Sequence, residues 1–342
     1  MKGIILHGGH GTRLRPLTHT GPKQLLKIAN KPMSQYVLED LRDAGITDIA
    51  IIIGDVYPEK VKEFYGNGEQ FGVNLTYVNQ ENPYGIAHAI SLCRDFIGND
   101  KFVVYLGDNI LRTGLLSYVQ KFETASDDAL ILLSEVDNPS QFGVVKIINN
   151  KILEIVEKPK HPPSNYAVIG VYFLTPKIFE IIKKLKPSWR GELEITEALQ
   201  LLMENNSKII HDYVTGWWKD TGTPKDILHA NQLILESMVK NSNNIFVGKN
   251  CVIDPSCEII GPVIIDDYCV IKSSTKIGPN VSIGKNTTLK KCEIKNSIIM
   301  DDCVIDAQIK IAESIIADGT QIQKKESGDS VYLLGERSNI LL

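Results

Sequence analysis

The chain has 342 residues, 43% of them hydrophobic, and a formal net charge of −4 at pH 7, as expected of a globular protein with one large and one smaller domain. It lacks the basic excess that is typical of nucleic-acid binding, and no apolar run approaches the roughly 18 residues of a membrane span. The start of the sequence has no signal-peptide pattern, so we expect a cytoplasmic protein that binds neither nucleic acid nor membrane.

The first element is a short apolar strand, residues 4–6, that leads into a glycine-rich turn. Three glycines and three cations follow the strand: Gly8, Gly9, Gly11, Arg13, Arg15 and Lys23. Glycines let the backbone come close to an anion, and the cations offset the charge of a polyphosphate. Neither the dinucleotide fingerprint nor the Walker loop fits this spacing. The turn therefore predicts a triphosphate site, and a plain strand-to-helix turn with incidental arginines is the alternative.

Residues 1 to about 230 alternate between strand-like and helix-like segments. Helices are predicted at 33–44, 59–65, 87–96 and 177–185, and strands at 49–53, 75–78, 102–106, 142–145, 152–157 and 168–173. This alternation predicts a doubly wound α/β domain, whose ligand site lies at the carboxyl ends of the strands. A helix over 224–238 and a polar linker over 240–244 follow the domain.

Two aspartates are candidate metal ligands. Asp108 comes directly after the predicted strand at 102–106, where a carboxylate suits Mg²⁺, an ion that prefers oxygen ligands and keeps several waters. A simple Gly-Asp-Asn turn is the alternative at this position. Asp220 lies in a glycine-bounded loop after two tryptophans, which are usually core residues, and is the candidate second carboxylate.

Glu157 and Lys158 end the predicted strand at 152–157, just before Pro159. A carboxylate beside an ammonium at a strand end could hold a sugar hydroxyl and a phosphate together. It could equally be a solvated ion pair, and spacing alone favours that second interpretation.

The hydrophobic period changes after residue 245. Aliphatic residues recur at six-residue intervals from Ile253 to Leu289, and then with shorter steps as far as Ile322. This hexapeptide repeat predicts a parallel β-helix over residues 245–325. A tail over 326–342 follows, with a candidate strand at 331–334.

The repeat explains most of the cysteines. Five of the six lie two positions before one of these aliphatic residues: Cys251, Cys257, Cys269, Cys292 and Cys303. We expect free thiols that point into the core, since no pair has metal-ligand spacing. All seven histidines precede the repeat, which argues against an acyltransferase that needs a histidine base. The repeat is therefore assigned to structure, assembly or regulation, and we expect self-association through it.

Several motifs together resemble those of the sugar-1-phosphate nucleotidylyltransferases. They lie at residues 8–18, 22–25, 30–32, 105–109, 142–144, 156–159, 189–196 and 216–222. With the hexapeptide extension, the chain is similar to the long-form glucose-1-phosphate thymidylyltransferases. The resemblance implies a nucleotide-diphospho-sugar transferase-like domain over residues 1–240, a left-handed β-helix after it, and a homo-oligomer. It also implies Mg²⁺-assisted in-line transfer from dTTP to glucose 1-phosphate, giving dTDP-glucose and pyrophosphate.

The resemblance implies roles for individual residues as well. The nucleotide would be bound by Gly8, Gly9, Gly11, Thr12, Arg13, Gln24, Gln80 and Gly85. The sugar phosphate would be bound by Gly143, Glu157, Lys158, Tyr172 and Arg190, which reverses the ion-pair interpretation of Glu157 and Lys158. The catalytic cations would be Arg13, Lys23 and Lys158, and the metal ligands Asp108 and Asp220. The family usually has a small residue at the position of His7, so this side chain could crowd or charge the site.

Alternatives of two classes stay open. UTP or glucosamine 1-phosphate could be the substrate, because thymine differs from uracil by one methyl group, worth about 1 kcal/mol. A nucleotide-sugar sensor without catalysis is the other alternative. Such a protein has no need of every charged residue of the site, so the complete set favours an enzyme.

Overall fold

The computed structural model describes residues 1–238 and 244–323. The predicted linker, apart from Asn244, lies outside these residues, and so does the predicted tail with its strand at 331–334. Within the described part of the chain, no helix is long and apolar enough to cross a membrane.

The chain forms two compact units that do not follow the order of the sequence. The first unit contains Met1–His10 and Ser34–Asp220, and the second contains Gly11–Met33 together with the chain from Thr221 onwards. Residues 11–33 thus belong with the C-terminal part of the chain, whereas the sequence suggested one boundary near residue 240.

The helices of the described residues are α1 (Met33–Asp43), α2 (Pro58–Tyr65), α3 (Ile86–Ser91), α4 (Arg94–Ile97), α5 (Leu116–Thr124), α6 (Lys177–Ile182), α7 (Ile195–Glu204) and α8 (Pro224–Ser237). The strands before α8 are β1 (Lys2–His7), β2 (Lys27–Ile28), β3 (Lys31–Pro32), β4 (Asp48–Ile53), β5 (Asn74–Asn79), β6 (Phe102–Leu106), β7 (Asn109–Leu111), β8 (Ala129–Glu135), β9 (Gly143–Ile148), β10 (Lys151–Glu157), β11 (Tyr166–Leu174), β12 (Ile209–Tyr213) and β13 (Trp218–Asp220). The strands after α8 are β14 (Ile245–Val247), β15 (Val252–Ile253), β16 (Glu258–Ile259), β17 (Val263–Ile265), β18 (Val270–Ile271), β19 (Lys276–Ile277), β20 (Val281–Ile283), β21 (Thr288–Lys295), β22 (Ser297–Ile299), β23 (Val304–Ala312), β24 (Ile315–Ile316) and β25 (Gln321–Gln323).

The core of the first unit is a nine-stranded sheet in the order β10-β9-β11-β6-β1-β4-β5; off this path, β8 pairs with β11, and β12 pairs with β8. β1 lies in parallel between β4 and β6, so the carboxyl ends of these strands meet at one edge. Their apolar residues are buried, as the continuous hydrophobic runs indicate. The predicted α/β domain is confirmed.

Some elements of the first unit differ from the prediction. The predicted helix over 87–96 is divided into α3 and α4, with an interruption at Leu92 and Cys93. The predicted loop at 216–222 contains β13, which pairs with β7. Strands of three residues, such as these two, are too short to show a hydrophobic period. The prediction also lacks α5, β8, α7 and β12.

The second unit begins with two short turns and a hairpin. The 3₁₀ turns cover Thr12–Leu14 and Lys23–Leu25, and the hairpin is made of β2 and β3. Helix α8 follows in the same unit, with Thr223 as its N-cap and Pro224 in its first turn. The prediction of a helix over 224–238 is confirmed.

Residues 245–323, called the repeat region below, form parallel strands stacked in columns. In one column Ile253 pairs with Ile271, and Ile271 pairs with Leu289, at a separation of 18 residues. Leu289 then pairs with Ile305, and Ile305 with Ile322, at separations of 16 and 17. These register steps match the six-residue spacing and its later shortening, and the parallel sheets fit a β-helix.

The cysteines of the repeat region are free and face its core. Cys269 and Cys303 are fully buried, and burial raises the pKa of the Cys269 thiol to about 12. A thiol with so high a pKa is unreactive at neutral pH. The prediction of inward-facing free thiols is confirmed.

Candidate active site

The carboxyl end of β1 leads into the glycine turn of the first unit. Gly8 follows His7, and a β-carbon on Gly8 would lie 3.4 Å from Gln80 Oε1. Gly9 has φ +94°, a left-handed conformation that glycine adopts without strain. Backbone amides at such a turn are well placed to bind an anion.

His7 is buried at the end of β1, with 4% of its surface exposed. Neither ring nitrogen has a hydrogen-bond partner among the described residues, and the ring meets Tyr65 edge-on at 6.0 Å. Burial lowers the pKa of His7 to about 3, against a smaller opposite effect of Asp108. The imidazole is therefore neutral at neutral pH, so the expectation that His7 could charge the site is wrong.

We expect the stability of the protein to fall in acid because of His7. In the unfolded chain His7 has an ordinary pKa near 6.5, so it binds a proton at pH values where the folded chain keeps the imidazole neutral. The free energy of unfolding therefore includes a contribution from His7 that is present above pH 6.5 and is lost as the pH falls towards 3. Between pH 7 and 5 the loss from His7 alone should be about 2 kcal/mol. Urea unfolding at both pH values should show this loss in the wild type and not in His7→Leu. The exposed His161→Leu variant should behave like the wild type, and an equal pH dependence in His7→Leu would contradict the assignment.

The end of β5 brings together two of the residues expected to bind the nucleotide, Gln80 and Gly85. Gln80 Nε2 donates to the carbonyl oxygen of Gly85 at 3.3 Å and lies 3.1 Å from His88 Nδ1. Gly85 has φ +101°, and a β-carbon there would lie 2.5 Å from the Leu193 carbonyl oxygen. The first unit therefore places Gly8, Gln80 and Gly85 at one site.

The two candidate metal carboxylates lie at the β7–β13 pair: Asp108 directly precedes β7, and Asp220 ends β13. Asp108 lies between β6 and β7 and is 9% exposed, and Asn109 Nδ2 donates to its Oδ1 at 3.0 Å. In the β7–β13 pair, Asp220 lies directly opposite Asn109. Asn109 Oδ1 in turn accepts hydrogen bonds from Trp218 Nε1 at 2.7 Å and from Gly170 N at 3.3 Å. Asn109 thus holds the Asp108 carboxylate and joins it to β13, the strand that carries Asp220.

This pair suits a hard divalent cation. Among residues 1–238 and 244–323, no three His, Cys, Asp or Glu side chains are grouped as a metal cage. A cation held by one or two carboxylates, with water and substrate phosphates as its other ligands, needs no such cage. Asp108 and Asp220 therefore fit a metal that arrives with a polyphosphate.

The residues expected to bind the sugar phosphate gather at the β9–β10 pair. Gly143 lies opposite Glu157 in this pair, and Thr196 Oγ1 donates to Glu157 Oε2 at 2.9 Å. Lys158 Nζ and Arg190 Nη1 each lie 3.6 Å from Glu157 Oε1. The structure thus brings three of the other four expected residues, Gly143, Lys158 and Arg190, around the Glu157 carboxylate.

Arg190 is held by further carboxylates. Its guanidinium donates to Glu192 Oε1 at 2.9 Å and to Glu194 Oε1 at 3.2 Å. Burial, more than the neighbouring charges, raises the pKa of the Glu192 carboxyl. Together with Glu157, these groups offer several hydrogen-bond acceptors to hydroxyl groups, while Lys158 offers a cation to a phosphate.

Tyr172, the fifth expected residue, is almost wholly buried on β11. Burial, and then the charges of Glu157, Asp108 and Glu194, raise the pKa of its phenol well above the ordinary value. The phenol therefore stays protonated. Asp108, a candidate metal ligand, and Glu157, a candidate sugar ligand, thus both raise the pKa of this one side chain.

The remaining nucleotide-binding candidates belong to the second unit. Thr12 and Arg13 lie in the first 3₁₀ turn, and Lys23 and Gln24 lie in the second. Gly11 has φ +59°, and a β-carbon there would lie 2.9 Å from Thr18 Cγ2 and 3.3 Å from Lys23 Cβ. Glycine at this position therefore lets the two turns pack together, and Thr18 Oγ1 donates to the Gly11 carbonyl oxygen at 2.9 Å.

Sequence reasoning assigned no role to His88, Asn109, Glu194 or Thr196. Asn109 follows Asp108 directly, and Glu194 and Thr196 lie within the motif at 189–196. For these three residues, the neighbouring motif residues were a signal in the sequence. His88 had none, because its approach to Gln80 depends on the path of the loop between β5 and α3.

Comparison with known proteins identifies the family of the chain. A family model described as nucleotidyl transferase matches residues 2–237, and one described as the GMPPB C-terminal domain matches residues 259–341. The low-salt glycan biosynthesis nucleotidyltransferase Agl11 of Haloferax volcanii is 45% identical, with 94% of each chain covered. The glucose-1-phosphate thymidylyltransferase of Streptomyces antibioticus is 38% identical, with 99% of each chain covered.

Solved structures give the same result. A Bacillus anthracis structure in complex with sucrose, assigned as a glucose-1-phosphate thymidylyltransferase, is 46% identical with a TM-score of 0.65, and the match covers 68% of this chain and 94% of that one. The resemblance inferred from the motifs is confirmed. The fold, the motifs and these relatives together show that the chain belongs to the nucleotidyl transferase family of enzymes.

Proposed function

We propose that the enzyme transfers a thymidylyl group from dTTP to glucose 1-phosphate, giving dTDP-glucose and pyrophosphate. The observation that carries this proposal is the end-to-end similarity to a glucose-1-phosphate thymidylyltransferase, which includes the repeat region as well as the α/β domain. Two further observations support it. The carboxylates Asp108 and Asp220 suit a metal–triphosphate, and Glu157 with Lys158 and Arg190 suits a sugar phosphate.

On the donor side, Asp108 and Asp220 would hold Mg²⁺, which when bound neutralises part of the triphosphate charge. Arg13 and Lys23 bind the triphosphate and stabilise the charge that develops as pyrophosphate leaves. The backbone at Gly8, Gly9, Gly11 and Thr12 contacts the nucleotide. Gln24 and Gln80 read the base, because an amide matches the donor and acceptor of a pyrimidine dione.

On the acceptor side, Glu157 and Arg190 orient the sugar, with Gly143 and Tyr172 beside them, and Lys158 binds its phosphate. A phosphate oxygen of glucose 1-phosphate attacks the α-phosphorus in line, the bond to the β-phosphate oxygen breaks, and pyrophosphate leaves with that electron pair. A phosphate dianion is already a nucleophile and needs no strong base. The protein contributes position and charge.

For the repeat region we propose a left-handed β-helix. The parallel columns with 16- to 18-residue steps support the β-helix, and the family resemblance is the ground for its left hand. We also propose that the enzyme is a homo-oligomer assembled through this region, because parallel columns leave open ends and faces that a second copy can cover.

A substrate panel tests the proposed function. Purified enzyme with Mg²⁺ is given dTTP or UTP together with glucose 1-phosphate or glucosamine 1-phosphate, and pyrophosphate release is measured. We expect the highest kcat/KM for dTTP with glucose 1-phosphate. A higher value for UTP or for the amino sugar would replace the proposed substrates, and no release with any pair would overturn the proposed reaction.

Gly143→Ala tests the sugar side of the site. The new β-carbon would collide with Thr196 Cγ2 and lie 3.3 Å from Glu157 Oε2, so the Thr196–Glu157 hydrogen bond has to shift. We expect the KM for glucose 1-phosphate to rise about tenfold or more, with little change in the KM for dTTP. Gly54→Ala is the control, since a β-carbon there meets no atom within 4 Å among the described residues. Equal effects on the two KM values would count against a sugar site at Gly143.

A further inference from the structure

The hairpin of β2 and β3 has little to stabilise it by itself. Each strand has two residues, and even longer isolated hairpins are marginal in water. Both turn residues have positive φ, 47° at Ala29 and 65° at Asn30. Asparagine tolerates this conformation, but for alanine it costs about 1 kcal/mol. Contacts from outside the hairpin are therefore needed to hold it in place.

Asn231 of α8 holds the turn. Its side chain is 1% exposed, and its Oδ1 accepts hydrogen bonds from Ala29 N at 2.9 Å and from Ser282 Oγ at 2.6 Å. Ser282 belongs to β20 of the repeat region. One buried amide oxygen thus joins α8, the hairpin and the repeat region, and its loss would leave a buried N–H without an acceptor.

Two further contacts join the hairpin directly to the repeat region. Asn30 Nδ2 donates to the Ile283 carbonyl oxygen at 2.8 Å. Lys27 Nζ forms an ion pair with Asp301 Oδ2, and the two side chains are only 24% and 23% exposed. Water screens a half-buried pair less than a surface pair, so this contact also contributes to the position of the hairpin.

The hairpin comes directly after the turn that carries Lys23 and Gln24. Leu26 connects the two, and its carbonyl oxygen accepts a hydrogen bond from Met33 N at 3.1 Å, which closes the base of the hairpin. On its other side the turn packs against Gly11, as described above. The position of the hairpin therefore determines where the Lys23 backbone lies within the unit.

We infer that the repeat region positions the Lys23–Gln24 turn for the nucleoside triphosphate through this hairpin, with Asn231 as the central positioning residue. The inference rests on the proposed function, since that function assigns the triphosphate to Lys23. It gives the repeat region a part in substrate binding within one chain, separate from any part in assembly.

Kinetics of the full-length chain test this inference with Asn231→Ala and Lys27→Met. The matched control is Lys290→Met, because Lys290 forms the same kind of pair within the repeat region, with Asp306 Oδ2 at 3.0 Å. We expect the KM for dTTP to rise about tenfold in Asn231→Ala and about threefold in Lys27→Met, while the KM for glucose 1-phosphate changes less than about twofold. Lys290→Met should keep wild-type values for both.

A purely structural role would give a different result. Fewer active molecules would lower kcat and leave both KM values unchanged, and that outcome would overturn the inference. If Asn231→Ala does not fold, the two KM values of Lys27→Met alone test the inference.

Calorimetric binding of dTTP with Mg²⁺ separates the inference from the proposed function, since it needs no turnover. A wild type that binds dTTP but releases no pyrophosphate would overturn the function, and weaker dTTP binding by Lys27→Met would still support the inference. Equal dTTP affinity in the two proteins would overturn the inference. A wild type that binds no nucleotide would overturn both.

Discussion

Asp108→Asn is expected to lower kcat/KM for pyrophosphate release by about a thousandfold, with the fold retained. The carboxylate is buried at the carboxyl end of β6 and is fixed by Asn109, and Asp220 lies on β13, directly opposite Asn109. An amide has the same size but lacks the charge that a metal–triphosphate requires. The measurement is steady-state kinetics over a range of Mg²⁺ concentrations, where we expect the half-saturating concentration to rise.

Asp128→Asn is the matched control for this substitution. Asp128 is 8% exposed in the same unit and pairs with Lys177 Nζ at 2.8 Å, and that pair together with its hydrogen bonds lowers the pKa of its carboxyl despite burial. Its replacement should reduce stability and leave kcat/KM per folded molecule unchanged. Near-normal turnover of Asp108→Asn would contradict the metal role, and equal losses in both variants would indicate a general effect of removing a buried charge.

Arg13→Ala should lower kcat/KM by about a hundredfold to a thousandfold, the usual effect of removing a group that stabilises transition-state charge. Arg13 is exposed in the turn Thr12–Leu14, so its truncation should leave the packing of the second unit intact. Arg13→Lys should retain part of the activity, because lysine keeps the charge and loses the planar pair of donors.

The control for Arg13 is Arg94→Ala. Arg94 is also largely exposed and pairs with Glu180 Oε1 at 2.8 Å on the surface, so its loss should have little effect on turnover. An Arg13→Ala variant as active as Arg94→Ala would remove Arg13 from the catalytic residues.

The parts of the fold with a long hydrophobic period could be predicted from the sequence. β1, β4 and β6 are continuous apolar runs, and the repeat region shows the spacing of its columns, including the shorter later steps. β2, β3, β7 and β13 have two or three residues each, too few for any period. These short strands nevertheless position Lys23, Asp108 and Asp220.

The membership of residues 11–33 in the second unit could not be predicted either. It depends on contacts between side chains far apart in sequence, such as Asn231 with Ala29 and Lys27 with Asp301. The residues of the candidate site could be named one by one from the sequence, because its glycines, cations and carboxylates occur in motifs, and their roles stay predictions. The charge state of His7 could not be predicted, because it depends on burial. The side chain is ionisable, but it is neutral in the fold since its surroundings exclude water.

The columns of the repeat region also bear on how the length of this chain can vary in evolution. Each turn of the repeat bonds only to the turns before and after it, so whole turns can be gained or lost without altering the others. The turns with Ser282, Ile283 and Asp301 are an exception, because they also hold the hairpin. Relatives with longer or shorter repeats should therefore keep the turns from β20 to Asp301 and differ in the turns outside this range.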